Sequence, residues 1–402
     1  MRAMMCSGLE EKIEENIENI KEGISAGLYV FGPAFESAQD GCSILEGKKV
    51  IMLTSNNYLG LATHPEIKKA MRDAVETYGS GTCGARLHNG TTVLHKELEK
   101  KCADFFHTED AVVVSAGYLA NLAGISALAN DDSTVVISDQ LNHMSIVDGY
   151  TMGKGPVRIF EHNNMEKLEY ILKRNQDAKR RLIVVDGVYS MDGDIAPLDR
   201  ITDLAEQYDA SVFVDEAHAL GFVGETGRGA AEHFHVEEKV HIRMTTFSKS
   251  LAAVGGCIAS DADTCLFIRH NAHPYIFNAS FPPAVAAGVL KAFDVMEKET
   301  WRVDRLWENT IYFRRCLNEM GYNTLNSMSP IVPIYIGDDL TNMRMTRRLL
   351  EEGVYIATAI FPAVPRNKSR LRATITAALE KEQLELALDR IGKVGKEFGI
   401  IA

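Results

Sequence analysis

The stretch T-T-F-S-K-S-L-A-A-V-G-G, residues 245–256, sets Lys249 at the end of a short apolar run, among hydroxyl residues and ahead of a glycine-rich turn. A lysine desolvated there, near other positive charge, is held neutral and nucleophilic, which suits a Schiff base. Thr246 and Ser248 would supply hydroxyl donors to a phosphate on the same ligand, whereas most single lysines are simply solvated. In V-F-V-D-E-A-H (212–218), Asp215 leaves a buried run and His218 follows in the turn. A carboxylate so placed can pair with a protonated pyridine nitrogen and keep the ring an electron sink, while the imidazole binds a ring hydroxyl. A strand-end Asp that caps the next turn is the plain alternative. D-E-A-H also matches a helicase box, but no G-x-x-x-x-G-K-[ST] loop accompanies it.

Other segments could complete such a site. S-A-G-Y-L-A-N (115–121) runs from a strand end into an apolar helix, and the N–H groups of Gly117 and Tyr118 at the helix start make an anion site. An ordinary strand-to-helix turn reads the same. N-H-M-S-I-V-D-G (142–149) offers His143 as a flat ring able to stack on a planar cofactor, although a lone His is more often structural. Gly79, Gly81 and Gly84 have the G-x-G-x-x-G spacing, but residues 65–77 before them read as a helix, not as the strand a dinucleotide fingerprint requires. His233, His235 and His241 have no cysteine or strand-end partner, so no metal site is expected. Ser190 lacks the G-x-S-x-G elbow of a serine hydrolase.

The elements that must hold these residues follow from periodicity. Short apolar runs at 111–114, 134–137, 157–160, 182–185, 211–214 and 241–246 alternate with helical segments. That pattern predicts an α/β fold with a largely parallel sheet covered on both faces. Ser115, Asp139, Asp186, Asp215 and Ser248 stand just past several of these runs, and ligands in open α/β sheets bind at the carboxyl ends of strands. Leu9, Ile13, Ile17, Ile20 and Ile24 predict an amphipathic N-terminal helix behind Ser7, ending near Gly27. After Pro282-Pro283 the chain reads as helical to about Met320, then gives strand-like runs at 331–336 and 370–376 and a closing helix from Glu380. The expected division is an N-terminal arm (1–55), a large lobe (56–290) and a small C-terminal α+β lobe (291–402).

Composition narrows the partners. A chain of 402 residues with net charge −12 offers no basic face for nucleic acid or anionic membrane. Seven scattered cysteines without a C-x-x-C pair read as reduced thiols. The acidic N-terminus lacks a signal core and no apolar run approaches spanning length, so a cytoplasmic protein is expected.

The assembled motifs resemble the α-oxoamine synthases, enzymes of the aspartate-aminotransferase-like fold (fold type I of the pyridoxal phosphate, PLP, enzymes). The resemblance runs from about Gly27 to Glu397. It is carried by S-N-N-Y-L-G-L (55–61), G-S-G-T-C-G-A-R-L-H-N-G-T-T-V-L-H-K-E-L-E (79–99), D-G-V-Y-S-M-D-G-D-I-A-P-L (186–198), D-E-A-H-A-L-G-F-V-G-E-T-G-R-G (215–229) and S-R-L-R-A-T-I-T-A-A (369–378). It implies a decarboxylative condensation of an amino acid with an acyl thioester, acyl-CoA or acyl carrier protein, giving an α-amino ketone. By position, Lys249 would carry PLP and abstract the Cα proton, Asp215 would pair with the pyridine nitrogen, His218 with the ring hydroxyl, and His143 would stack on the ring. Gly117, Tyr118, Thr246 and Ser248 would contact the phosphate or ring, Arg372 would clamp the substrate carboxylate, and Asn57 and Ser190 would line the site. The family's homodimers place the site at the interface, which would bring residues 278–281, Ser280 among them, to the neighbour's phosphate.

Within the family, T-F-S-K-S, D-E-A-H and G-L-Y-V-F-G-P-A-F-E-S-A-Q-D (27–40) look most like the serine palmitoyltransferase branch. The alternatives are the branches of 8-amino-7-oxononanoate synthase, 2-amino-3-ketobutyrate CoA ligase (glycine C-acetyltransferase) and 5-aminolevulinate synthase. T-A-A-L departs from many relatives, which carry His where this chain has Leu379. An aminotransferase or aldolase on the same fold, or a non-catalytic subunit, are the remaining expectations; retention of Lys249 speaks against the last.

Overall fold

The computed structural model describes residues 6–402. Strands β1 (Cys42–Leu45) and β2 (Lys48–Met52) form a hairpin. Its two-residue loop, Glu46-Gly47, has both φ angles positive (51° and 69°), which matches the right-handed twist of paired strands.

Seven strands build the central sheet: β3 (Asp110–Val114), β4 (Thr134–Asp139), β5 (Val157–Phe160), β6 (Arg180–Asp186), β7 (Ser211–Asp215), β8 (Ile242–Thr246) and β9 (Gly256–Ser260). Their order is β3-β9-β8-β7-β6-β4-β5, parallel from β8 to β5, with β9 antiparallel to both neighbours. Because β9 alone is reversed, the carboxyl ends of β3, β4, β6, β7 and β8 share one edge. The sequence reading missed β9; it follows the 249–256 turn so closely that no break separates the two.

Alternate residues of each strand enter cores on opposite faces. Ile183, Val185, Val212 and Val214 pack in one cluster, and Leu182, Val184 and Phe213 in the other. Helices cover both faces, as a parallel sheet requires.

The remaining strands are β10 (Ile331–Gly337), β11 (Val354–Tyr355), β12 (Ala357–Ala359) and β13 (Ser369–Thr374). β13 runs antiparallel between β10 and β12, while β11 pairs with β2. Ile51 and Leu53 share a core with Val332, Leu371 and Leu388, so the later part of the N-terminal arm packs into the C-terminal lobe.

Two differences from the sequence reading have physical causes. The helical stretch after Pro282-Pro283 is two helices, Pro283–Lys298 and Trp301–Glu319. They break at Glu299, whose carboxylate is held by Arg302 (2.7 Å) and His64 (3.3 Å). The N-terminal helix, Ser7–Ser25, forms with Cys6 rather than Ser7 at its cap. Its apolar stripe is not packed on this chain: Leu9, Ile13, Ile20 and Ile24 are exposed.

Candidate active site

The shared strand edge opens into a cavity of about 310 Å³. Gly117, Tyr118, His143, Asp215, His218, Thr246, Ser248 and Lys249 all line it, together with Asp186 and Ser145. Asp186 and Asp215 are directly paired in register across β6 and β7, which sets two carboxylates side by side at the strand ends. Burial and the neighbouring Asp215 push the Asp186 carboxyl well above the usual carboxylate range; it accepts a hydrogen bond from the His143 backbone N–H (3.0 Å).

Lys249 follows β8 and shows only part of its surface, to the cavity. Desolvation brings its amine down to about 8, with Asp215 and Asp186 opposing and the Arg372 charge assisting. The Asp215 carboxylate is held at both oxygens: Asn121 Nδ2 donates to Oδ2 (2.7 Å) and the Ala217 N–H to Oδ1 (2.8 Å). His218 faces the buried phenol of Tyr58, Oη to Nδ1 2.7 Å. Burial, then Lys249, Arg372 and His143, push its imidazole well below the ordinary histidine value. His143 begins the helix Met144–Met152 and accepts at Nδ1 from the Ser145 N–H (3.2 Å). Its pKa is also lowered, chiefly by burial.

The anion end of the cavity is built from backbone. The helix Gly117–Leu128 starts here without a side-chain cap, leaving its first N–H groups free for a ligand. Gly117 is required by packing: a Cβ there would lie 2.4 Å from Thr246 Oγ1. Thr246 in turn donates to the Gly255 carbonyl (3.0 Å) and lies 2.8 Å from the Ser248 hydroxyl. An amine for covalent attachment, a carboxylate for a pyridine nitrogen and a backbone cradle for a phosphate therefore meet in one cavity, and these residues fit PLP.

Four expected site residues stand outside the cavity lining. Arg372 is buried on β13: Nε donates to the Ser190 carbonyl (2.5 Å), and Nη1 to Asn56 Oδ1 (3.1 Å) and Thr374 Oγ1 (2.9 Å). Its charge reaches Lys249, His218 and Tyr58, so it borders the site. Ser190 enters through its carbonyl on Arg372. Asn57 does not reach the cavity; its Oδ1 accepts from the N–H groups of Leu61 (2.9 Å) and Ala62 (3.2 Å), and its neighbour Asn56 touches Arg372 instead. Ser280 is 2.9 Å from His95 Nε2, in a separate small cleft with Arg86 and Asn278. Leu379 does not approach the cavity either: it is fully buried in the small lobe's core.

Tyr58, Asn121 and Ser145 were not read as site residues from the sequence, and Asp186 was read as a strand-end carboxylate without a role of its own. Asn121 carried a signal, since a lone amide in the apolar helix G-Y-L-A-N-L-A-G-I-S-A-L must find a buried partner. Among the described residues no group of histidines, cysteines and carboxylates could hold a metal ion, and no helix is long and apolar enough to cross a membrane.

Residues 48–391 match the family model for aminotransferase class I and II. The 8-amino-7-oxononanoate synthase of Symbiobacterium thermophilum is 43% identical over 98% of this chain and 100% of its own length. The 8-amino-7-oxononanoate synthase 1 of Bacillus subtilis is also 43% identical, over 91% of this chain and 93% of its own. Among solved structures, the serine palmitoyltransferase of S. paucimobilis bound to a PLP–myriocin aldimine is 35% identical, over 97% of this chain and 99% of that one, with a TM-score of 0.94.

Proposed function

Because this chain belongs to the aminotransferase class I and II family, and within it to the α-oxoamine synthases, we propose that it makes 8-amino-7-oxononanoate or a close analogue. It is a PLP-dependent acyltransferase. The observation that carries the finer reading is the grouping of relatives: curated 8-amino-7-oxononanoate synthases at 38–43% identity, against 34–35% for the serine palmitoyltransferase structures. The branch favoured by T-F-S-K-S and D-E-A-H in the sequence is therefore replaced by its alternative. Those motifs surround the cofactor site, which both branches need.

The product's name defines the substrates. It is a nine-carbon chain with a ketone at carbon seven and an amine at carbon eight. Carbons eight and nine with the nitrogen are what alanine leaves after losing its carboxyl group. Carbons one to seven are a dicarboxylic acyl group delivered as a thioester. The bond between carbons seven and eight forms, the carbon–sulfur bond and the bond to the departing carbon dioxide break, and the thiol leaves with a proton.

Bound in the cavity, PLP supplies an electron sink for the pair left on the amino acid's α-carbon. In this reading Lys249 Nζ is the point of covalent attachment and then the acceptor of the α-proton, roles that its lowered pKa supports. Asn121 and Ala217 orient Asp215 toward the ring nitrogen. Gly117, Tyr118, Thr246 and Ser248 hold the phosphate, His218 the ring hydroxyl, and His143 one ring face. Arg372 has Nε and Nη1 engaged by Ser190, Asn56 and Thr374, and its guanidinium also meets the Tyr58 hydroxyl; in this reading Nη2, which makes none of the first three bonds, faces the substrate carboxylate. A clamp there fixes which α-carbon bond stands perpendicular to the ring.

The reading takes the chain to act as a homodimer, with residues 278–281 at the neighbour's site. Phe277, 79% exposed beside that segment, and the exposed Val93, Met144 and Val254 support it, since apolar surface so placed is commonly covered by another copy. A cytoplasmic site of action is supported by the seven unpaired cysteines.

The test is thiol release with mass analysis of the product, using PLP-loaded protein. Glycine, alanine and serine are each paired with heptanedioyl-CoA, acetyl-CoA and palmitoyl-CoA. Alanine with the dicarboxylic thioester should turn over fastest. A preference for serine with palmitoyl-CoA would overturn the assignment and restore the serine palmitoyltransferase-like reading, which the structural likeness favours.

A further inference from the structure

Both cavity imidazoles meet a hydroxyl at the same ring atom. Tyr58 Oη is 2.7 Å from His218 Nδ1, and Ser145 Oγ is 2.7 Å from His143 Nδ1. We infer that Tyr58 and Ser145 are positioning residues that lock His218 and His143 as neutral Nε2–H tautomers, so that each ring can only donate toward the cavity. The inference rests on the cofactor site proposed above but on neither the amino acid nor the acyl group used.

For His143 the direction of the bond is forced. The Ser145 backbone N–H, which can only donate, points at Nδ1 (3.2 Å), so Nδ1 carries no proton. The Ser145 hydroxyl receives a hydrogen bond from Asn121 Nδ2 (2.8 Å), which turns its own hydrogen toward Nδ1. Asn121 gives its other hydrogen to Asp215 Oδ2 (2.7 Å). Asn121 therefore donates in two directions, through the Ser145 hydroxyl to the ring-face imidazole and directly to the Asp215 carboxylate, which links the two by hydrogen bonds. Asn121 and Ser145 are 0% and 1% exposed, so no water competes for these hydrogens.

For His218 the direction follows from satisfaction. Tyr58 is 0% exposed, and burial raises its phenol to about 12, so it keeps its proton. That proton has one side-chain acceptor, His218 Nδ1. Protonating Nδ1 instead would strand a buried hydroxyl hydrogen, which costs more than the exchange returns. The charges of Lys249 and Arg372 beside His218 disfavour a second ring proton. The consequence is directional: a ring that only donates at Nε2 stabilises an oxygen carrying negative charge more than the same oxygen protonated.

The test uses 15N-histidine-labelled, cofactor-free full-length protein, in which long-range 1H–15N correlation distinguishes the two tautomers. Peaks are assigned with His143→Gln and His218→Gln. Both rings of the natural protein should show a protonated Nε2 and a bare Nδ1; a protonated Nδ1 at either ring overturns the inference without any variant. In Tyr58→Phe, His218 should lose its fixed tautomer while His143 keeps it, and in Ser145→Ala the Oγ contribution to His143 is lost. Ser145→Thr, which restores the hydroxyl, should recover the natural spectrum. Tyr58→Phe should also release PLP on the order of tenfold more readily at equilibrium. An unchanged His218 spectrum together with unchanged PLP affinity would overturn the role of Tyr58. Because the spectra are taken without cofactor or substrate, failure of the substrate assignment leaves them untouched.

Discussion

The amine of Lys249, brought down to about 8 from 10.5, fixes a pH at which it should change behaviour. At pH 7 roughly one amine in eleven is neutral, against about one in three thousand for an ordinary lysine, a gain of roughly 300-fold in nucleophile. Uptake of PLP by the cofactor-free protein, followed by the growth of visible absorbance, should therefore rise about tenfold between pH 6 and pH 7 and level off above pH 8. The neighbours give opposite signs. Arg372→Gln removes a positive charge that holds the amine down, so its midpoint should move up and uptake at pH 7 should slow. Asp215→Asn, close to isosteric, removes a negative charge that holds it up, so the midpoint should move down. A midpoint that stays near 10.5 in the natural protein would refute the desolvated-lysine reasoning. So would a shift in the same direction in both variants.

Lys249→Ala should abolish thiol release, and borohydride should fix the cofactor to Lys249 in the natural protein and to no lysine in the variant, read by peptide mapping. Arg372→Lys cannot hold Ser190, Asn56 and substrate at once, so KM for the amino acid should rise on the order of tenfold to a hundredfold with a smaller change for the thioester. Leu379→His places a polar ring in the closed core of the small lobe and should lower stability by about 2–4 kcal/mol in a denaturant titration; the ratio of rates for alanine and serine should stay unchanged. A changed ratio would mean that position 379 reaches the site.

The parallel sheet and the strand-end residues were legible because both obey short-range rules. β4, β6, β7 and β8 are runs buried on both faces, and Asp186, Asp215 and Lys249 lie at their ends or just beyond. What could not be read is set by long-range contact. Tyr58 lies 160 positions from the imidazole it binds, and Asn56 lies 316 positions from Arg372. The motif S-N-N-Y-L-G-L does not say which of its two amides turns back to the backbone. The structure does, through the Leu61 and Ala62 N–H groups. The exposed stripe of the N-terminal helix shows the reverse failure: periodicity predicted the element correctly but is silent on what covers it.

The choice between branches of the family follows the same division. Two of the three motifs that favoured serine palmitoyltransferase in the sequence sit in the cavity wall, while the third, residues 27–40, is outside its lining: T-F-S-K-S holds Lys249, and D-E-A-H holds Asp215 and His218. In the proposed reading those residues face a cofactor and an amino-acid backbone, the parts of the chemistry that all branches have in common. They are selected by the same donors and charges whichever acyl group arrives. Discrimination among acyl groups is a matter of what the chain and its far end touch, and a terminal carboxylate, unlike a methyl, must find a donor or stay in water. Swapping heptanedioyl-CoA for heptanoyl-CoA, which differs only at that end, therefore isolates the branch. A large loss of kcat/KM for the uncharged thioester marks a site built for the dicarboxylic acid, while equal or better use of heptanoyl-CoA marks one built for hydrocarbon.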